Sequence, residues 1–378
     1  MMLRILRVIL GLALLNVVAG TALFGQYWPA YGEQKPRDLD WSRTDIGYYF
    51  VTETNTTGFR IPAIQSEAGA KDFVSAAKAI ATSGNRKAFI KDVKSFLNKY
   101  KFDGVDFDWE FPGSQGIGCN KVQPEDSANF LTFLKALRLE IGSSKLITAA
   151  IATPGLISPD GNPLADMSGF GKVFDILNLM TYDVGGPWEP TSGPNCPLRT
   201  CKSVTGIVEV IDTFKKAGIP ASKMMLGIPA YGYSYKLKSS KLKSQKIGGF
   251  TSQVYQDKTE VIPKGNRTDS NTPIVDVCGV RTASYTGMWN YVDLIDEGLL
   301  SSNGKVGLKG WTRHVDACSA TPFLFNPKTK VMINYDDAYS AGEKTKYALA
   351  QGLKGVYTFD STGFSADVLG TIRKKLDA

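Results

Sequence analysis

Lys101-Phe102-Asp103-Gly104-Val105-Asp106-Phe107-Asp108-Trp109-Glu110-Phe111-Pro112-Gly113 reads as a strand that ends in acid. Side chains in a strand alternate faces, so Asp106, Asp108 and Glu110 share one face while Val105, Phe107 and Trp109 share the other. The aromatic face demands cover. The acidic face is costly to bury unless its members share protons or hydrogen bonds, and crowding raises the pKa of at least one of them. A carboxyl that keeps its proton near neutral pH is what a general acid needs. A calcium loop would instead set its ligands on a turn around a central glycine. A solvated edge strand would leave Phe107 and Trp109 without a purpose.

Outward from this stretch, short apolar runs alternate with amphipathic ones. Strands are expected at Ala22–Trp28, Asp45–Val51, Gly104–Trp109, Leu146–Ile151, Ile176–Tyr182, Met224–Pro229 and Gly355–Phe359. Helices are expected at Ala68–Ile80, Asn85–Lys99, Pro124–Ile141, Val204–Ala217, Ala341–Gln351 and Ala366–Leu376. Alternating strand and helix argues for a parallel sheet, and runs such as Ile176-Leu177-Asn178-Leu179-Met180 suit strands covered on both faces. Repetition over the whole chain favours a closed α/β barrel, with Glu110 at the C-terminal end of its strand, where barrel active sites are built. Two stretches break the rhythm. Residues 233–331 are polar and carry a lysine-rich patch from Lys236 to Lys246, and read as an α+β insertion between the last two barrel strands. Helix Ala68–Ile80 runs through Ala-Thr-Ser-Gly into helix Asn85–Lys99 with no strand between, so one barrel strand is missing. The expected organisation is 1–22 export signal, 23–232 first part of the barrel, 233–331 insertion and 332–378 last part of the barrel.

The 378 residues, 43% of them hydrophobic and 21% charged, are ample for a sizeable core. Arg4 and Arg7, the apolar run Val8–Ala19 and the small residues that follow read as a signal peptide, and Asn16 interrupts a run already short for a membrane span. Its loss lowers the formal charge of +8 to +6. No run of five basic residues or nucleic-acid motif occurs, so neither nucleic acid nor membrane is an expected partner. Export makes disulfides expected among Cys119, Cys196, Cys201, Cys278 and Cys318. Cys278–Cys318 and a pair from the other three are the pairings weighed, with one thiol left over. Asn55 and Asn266 are glycosylation sequons. The single histidine, His314, sits in a polar segment with no elbow motif, so proton transfer is expected to run on carboxylates, with no metal and no cofactor.

Asp103-x-x-Asp106-x-Asp108-x-Glu110 resembles the signature of the family eighteen glycoside hydrolases, the chitinases. Met180-Thr181-Tyr182-Asp183 is similar to the family's sixth strand, Leu226-Gly-Ile-Pro-Ala-Tyr231-Gly to its seventh, and Ser284–Leu300 with Trp289 and Met332-Ile-Asn-Tyr-Asp-Asp337 to the insertion of secreted fungal members. The resemblance covers nearly all of the mature chain. It implies a TIM-type (β/α)8 barrel and a retaining, substrate-assisted mechanism on chitin or chito-oligosaccharides, in a secreted monomer. Glu110 would be the general acid, Asp108 the group that orients the acetamido N–H, and Asp106 the partner sharing its proton. Tyr182 would hold the acetamido oxygen and Asp183 the distorted sugar. Met180 and Tyr231 would line the pocket, Tyr27, Trp28, Trp188, Trp289 and Phe359 would offer the sugar a floor, and Asp103 with Gly104 would serve the strand itself.

Two departures stand out. The family's third strand, with its Ser-x-Gly-Gly end, is absent between Phe73-Val-Ser-Ala-Ala-Lys-Ala79 and Asn85-Arg-Lys-Ala-Phe89. Phe359 also stands where the family places tryptophan, an apolar platform without an indole N–H. An active chitinase is the first reading, since every acid-catalysis residue is present. A chitin-binding, lectin-like relative and a mis-spliced product lacking the strand are the others, and an endoglycosidase acting on N-glycans is a minor one.

Overall fold

The computed structural model describes residues 22–51, 80–116, 122–275 and 279–378. Helix Ala68–Ile80 therefore lies outside the described residues but for its end, and so do Asn55, Cys119, Cys278 and, but for Ala22, the export segment.

Seven parallel strands line the centre: β1 (Leu23–Pro29), β2 (Ile46–Phe50), β3 (Gly104–Asp108), β4 (Leu146–Ala152), β5 (Ile176–Met180), β6 (Met224–Pro229) and, last in the chain, β16 (Gly355–Phe359). Their order in the sheet is β2-β1-β16-β6-β5-β4-β3. This is a barrel with one position left open between β2 and β3, where no described residue forms a strand. The seven strands coincide with the seven expected from the apolar runs, and the open position is where the sequence lacks one.

Helices cover the outside: α1 (Ser83–Tyr100), α2 (Asp126–Ile141), α3 (Ser168–Val173) and α4 (Ile207–Lys216), then α6 (Ala338–Ala350) and α7 (Ala366–Leu376), with α5 (Tyr291–Asp296) in the insertion. Thr82 caps α1 by accepting the Asn85 N–H at 3.2 Å. The buried stripe of α1 is Phe89, Ile90, Val93 and Leu97, at helical spacing. The outer aromatic face of β3 packs on α2. Phe107 meets Phe130 and Phe133 edge-on at 5.9 and 5.4 Å, and Trp109 meets Phe130 at 5.6 Å. Contacts of this kind add about 0.5–1.5 kcal/mol each beyond area burial.

The insertion carries β7 (Tyr231–Lys236), β12 (Met288–Asn290), β13 (Thr312–Asp316), β14 (Thr321–Asn326) and β15 (Val331–Asn334) in one antiparallel sheet ordered β12-β7-β15-β14-β13. Two small hairpins accompany it, β8 (Gln245–Ile247) with β9 (Phe250–Ser252) and β10 (Ile274–Val275) with β11 (Arg281–Thr282). The cysteine pairing differs from expectation. Cys318 bonds Cys201, their Cα atoms 5.9 Å apart, because the loop after β5 packs against the β13–β14 turn. Cys196 is a free, buried thiol. His314 stacks on Phe323 at 5.0 Å on the insertion sheet.

Candidate active site

The C-terminal ends of the parallel strands gather the acidic and aromatic residues. Asp106 lies deepest. Its Oδ2 accepts the Tyr27 hydroxyl at 2.7 Å, and its Oδ1 accepts the Thr148 hydroxyl and, at 3.2 Å, the Asn178 amide. Strand register makes this layer. Asp106 pairs with Thr148 on β4, Ala150 of β4 pairs with Asn178 on β5, and Tyr27 pairs with Tyr48 on β2. The Tyr27 and Tyr48 rings stack at 4.5 Å. Burial raises the Asp106 pKa, and the three hydrogen bonds only partly offset it.

Asp108 stands one step higher. Burial first, then the charges of Glu110 and Asp106, push its pKa well above the carboxylate range, and its carboxyl is hydrogen-bonded to Glu110. Asp106, the proton partner that the resemblance implies, acts on Asp108 through its charge, while its own oxygens accept from Tyr27, Thr148 and Asn178. The Oδ1 of Asp108 is buried and has no partner. Glu110 is half-buried. Burial raises its pKa, the Asp108 hydrogen bond lowers it, and the charge of Asp183 raises it again.

Opposite stands Asp183, at φ 56° after β5. Its backbone N–H donates to Asn195 Oδ1 at 2.7 Å, and its carboxylate accepts the Tyr231 and Tyr233 hydroxyls, each at 2.7 Å. Burial of that end outweighs the two bonds and raises its pKa. The Tyr182 hydroxyl lies 3.3 Å from that of Tyr357, and its ring stacks with Phe359 at 5.8 Å. Only glycine fits at position 227, where a Cβ would come within 2.7 Å of Tyr182, Tyr357 and the Leu179 carbonyl.

The aromatic candidates separate. Half-buried Phe359 and Met180 belong to this end of the barrel, and Phe359 touches Tyr27, Phe50, Tyr182 and Tyr231. Trp188 is 58% exposed and leans edge-on against Tyr233 at 5.2 Å, as a free platform would. Tyr27 is buried beneath Asp106. Trp28 faces the other way, since it alternates with Tyr27. Its ring packs on Tyr49 at 5.4 Å and its Nε1 donates to the Gln34 carbonyl. Trp289 is buried in the insertion, paired with Gly232. Gly104 sits against Leu146, whose carbonyl would be 2.5 Å from a Cβ there. Asp103 accepts the Leu146 N–H through its backbone carbonyl at 2.9 Å. Sequence reasoning missed Thr148, Asn178, Tyr233 and Asn195. Thr148 and Asn178 carried a signal, as lone polar residues inside apolar strands.

The sequence profile described as "Glycosyl hydrolases family 18" matches residues 53–363. A "chitinase-like effector" of Moniliophthora roreri is 32% identical over 384 residues, 93% of this chain and 92% of that protein. Among solved structures, a chitinase from Rhizomucor miehei superposes with a TM-score of 0.80 at 24% identity, over 93% of this chain and 99% of that one. A class V chitinase from Nicotiana tobaccum, solved in complex with NAG4, superposes with a TM-score of 0.71 at 19% identity, over 94% of this chain and 99% of that one.

Proposed function

The chain belongs to glycosyl hydrolases family 18, and from that premise we propose that it is a secreted chitinase that cleaves β-1,4 linkages between N-acetylglucosamine units. The observation that carries this reading is the buried, unpartnered Oδ1 of Asp108 beside the raised carboxyl of Glu110. An acceptor held dry with no donor is costly unless a ligand supplies one. The acetamido N–H of the substrate is such a donor.

Glu110 gives its proton to the glycosidic oxygen. The acetamido oxygen of the substrate attacks the anomeric carbon as the leaving group departs, so no protein nucleophile is needed. Asp108 accepts the acetamido N–H, and its negative charge stabilises the oxazolinium ion. As substrate takes up Asp108, the proton held between Asp108 and Glu110 is placed on Glu110. Tyr182 donates to the acetamido oxygen and aligns it. Asp183, fixed by Tyr231, Tyr233 and Asn195, receives a sugar hydroxyl. Phe359 and Tyr182 form the apolar floor, and Trp188 offers a platform to the next unit. Water then opens the oxazolinium with Glu110 as base, and configuration at the anomeric carbon is retained.

Hydrolysis of a fluorogenic chitotriose analogue tests this. Glu110→Gln is expected to lower kcat by roughly 10²–10⁴-fold or more while the oligosaccharide still binds. Comparable turnover by the variant would sink the mechanism. Binding without turnover by the unmodified chain would support a lectin-like role, a reading favoured by the open edge beside the strand that bears Glu110. Export is tested by N-terminal sequencing of protein recovered from medium, with cleavage expected after Gly20 or Ala22.

A further inference from the structure

The surface around the β8–β9 hairpin is not used by the hydrolytic reading. From Lys236 to Lys258 the sequence holds six lysines and one acid, Asp257. Lys238, Lys241, Lys243 and Lys246 are exposed. From the loop after β5, Arg199 and exposed Lys202 join them. The Arg199 guanidinium lies over the Phe250 ring at 5.1 Å, and the Lys202 ammonium over Tyr255 at 5.8 Å. Phe250 follows Gly248-Gly249 at the hairpin tip and is 39% exposed. Two acids adjoin the group. Asp257 is paired with Lys243 at 3.0 Å, and its carboxyl is held below its ordinary range by Lys243, Lys238 and Lys202. Glu209 accepts the Thr200 N–H at 3.2 Å. Lys202, Lys238 and Lys243 thus gather around one carboxylate, Asp257, with Arg199, Lys241 and Lys246 on the same segments.

This patch is held in shape from beneath. Buried Asp316 accepts the Ser252 hydroxyl and the Gln253 N–H, each at 2.7 Å, which anchors the foot of the hairpin. Two residues on, the Cys318–Cys201 disulfide ties down the segment that carries Arg199 and Lys202, and Arg199 also donates to the Cys318 carbonyl at 3.3 Å. A merely solubilising lysine face needs no such anchoring. Neutral chitin gains nothing from these charges, and de-acetylated chains, being cationic, are repelled. An aromatic ring stacked by arginine and ringed by ammonium groups matches a pyranose that carries a carboxylate, with the ring for its C–H face and the cations for its charge. One exposed ring on a short hairpin is too little apolar surface to enter a bilayer.

We propose that the β8–β9 face, built by Arg199, Lys202, Lys238, Lys243, Lys246 and Phe250, docks an acidic, uronate-type polysaccharide and holds the protein on an anionic matrix. The patch joins the barrel mouth through the Thr191–Asp257 bridge, three residues beyond Trp188. Affinity electrophoresis of the full chain through gels containing polygalacturonate tests this. The chain is expected to be retarded at low ionic strength and released at about 0.5 M salt, where screening shortens to a few ångströms. The double variant Lys238→Glu/Lys246→Glu should bind about tenfold more weakly or worse, with unchanged melting temperature. Phe250→Ala should lose the part of the binding that survives moderate salt. The proposal is overturned if the unmodified chain is not retarded, or if the double variant is retarded equally. It is also overturned if vesicles containing phosphatidylserine bind as tightly as polygalacturonate, which would make the face a general or membrane-directed one.

Discussion

Strands β4, β5 and β6 are each paired along both edges, and Ile147, Leu177 and Leu226 on them are at most 1% exposed. Among the described residues, strand β3, which carries Asp106 and Asp108, is paired only with β4 and has no fully buried residue. Its counterpart across the opening, β2, is paired among the described residues only with β1. One side of the barrel is therefore held by a ladder and the other by side chains. On the outer face of the open side, a run of rings crosses from one edge to the other. Trp28 meets Tyr49 at 5.4 Å, Tyr49 meets Phe102 at 6.0 Å, and Phe102 stacks on Phe96 of α1 at 5.6 Å. On the inner face, the Tyr27–Asp106 bond and the Tyr48–Asn178 bond, at 3.2 Å, span the same opening. Among the described residues the acid strand thus has no neighbour on one edge, and the proposed chemistry sits on the side with the weaker scaffold.

If that division is right, the largest loss of stability comes from the closed side. Lys344 of α6 is wholly buried and paired with buried Asp336 behind Cys196 and Thr181. Lys344→Met leaves a carboxylate buried alone and is expected to cost about 3–5 kcal/mol by denaturant unfolding, with Lys344→Met/Asp336→Leu restoring most of it. A smaller, local effect is expected on the open side. Tyr49→Ala cuts the ring bridge at a half-buried position and should cost about 2 kcal/mol, less than a fully buried ring. Amide exchange should then quicken in β2 and β3 and leave β5 and β6 unchanged. Uniform quickening would mean that the two sides share one scaffold and would break the comparison.

The closed side was the legible one. Ile176-Leu-Asn-Leu-Met and Met224-Met-Leu-Gly-Ile-Pro announce strands covered on both faces, and the Asp-x-Asp-x-Glu alternation announces which carboxyls share the inner face of β3. Missing strand and insertion were legible as breaks in rhythm. What closes the opening was not, because it depends on pairs such as Tyr49 and Phe102 that meet only through strand register. Alternation already required Tyr27 and Trp28 to part company, which separates the buried hydroxyl under Asp106 from the ring of the outer bridge. Thr148 and Asn178 were visible as polar residues in apolar strands, but their common partner was not. The Cys201–Cys318 link needed the packing of the β5 loop on the insertion, which no spacing encodes.

Asp108 sharpens the comparison from the side of energetics. Its pKa is raised in the folded chain, so its contribution to stability is full below the unfolded pKa and is lost as pH rises through the raised folded value. Above the unfolded pKa the folded state bears a cost that the unfolded chain does not, that of holding this proton or of ionising beside like charges. Asp108→Asn removes that cost while its amide can still donate to Glu110. The variant is expected to melt higher than the unmodified chain, with a gap that widens from acid to neutral pH, although its activity is lost. A gap that is constant with pH would assign the effect to packing instead.

The smallest expected effect reaches across the barrel. The charge of Asp183, on the closed side after β5, is one of the influences that raise the pKa of Glu110 on the open side. A general acid works in its protonated form, so the alkaline limb of kcat/KM follows the Glu110 pKa of the free enzyme. Asp183→Asn removes the charge and keeps an oxygen that can accept from Tyr231 or Tyr233. Glu110 then releases its proton more readily, and the alkaline limb moves to lower pH. A drop in kcat/KM at every pH is expected as well from the sugar contact proposed for Asp183, and the displacement of the limb separates the two roles. A limb that stays in place under a lowered plateau would confine Asp183 to sugar contact. A limb that moves to higher pH would mean that it titrates a group other than Glu110, and the two sides would no longer be electrostatically joined through this pair.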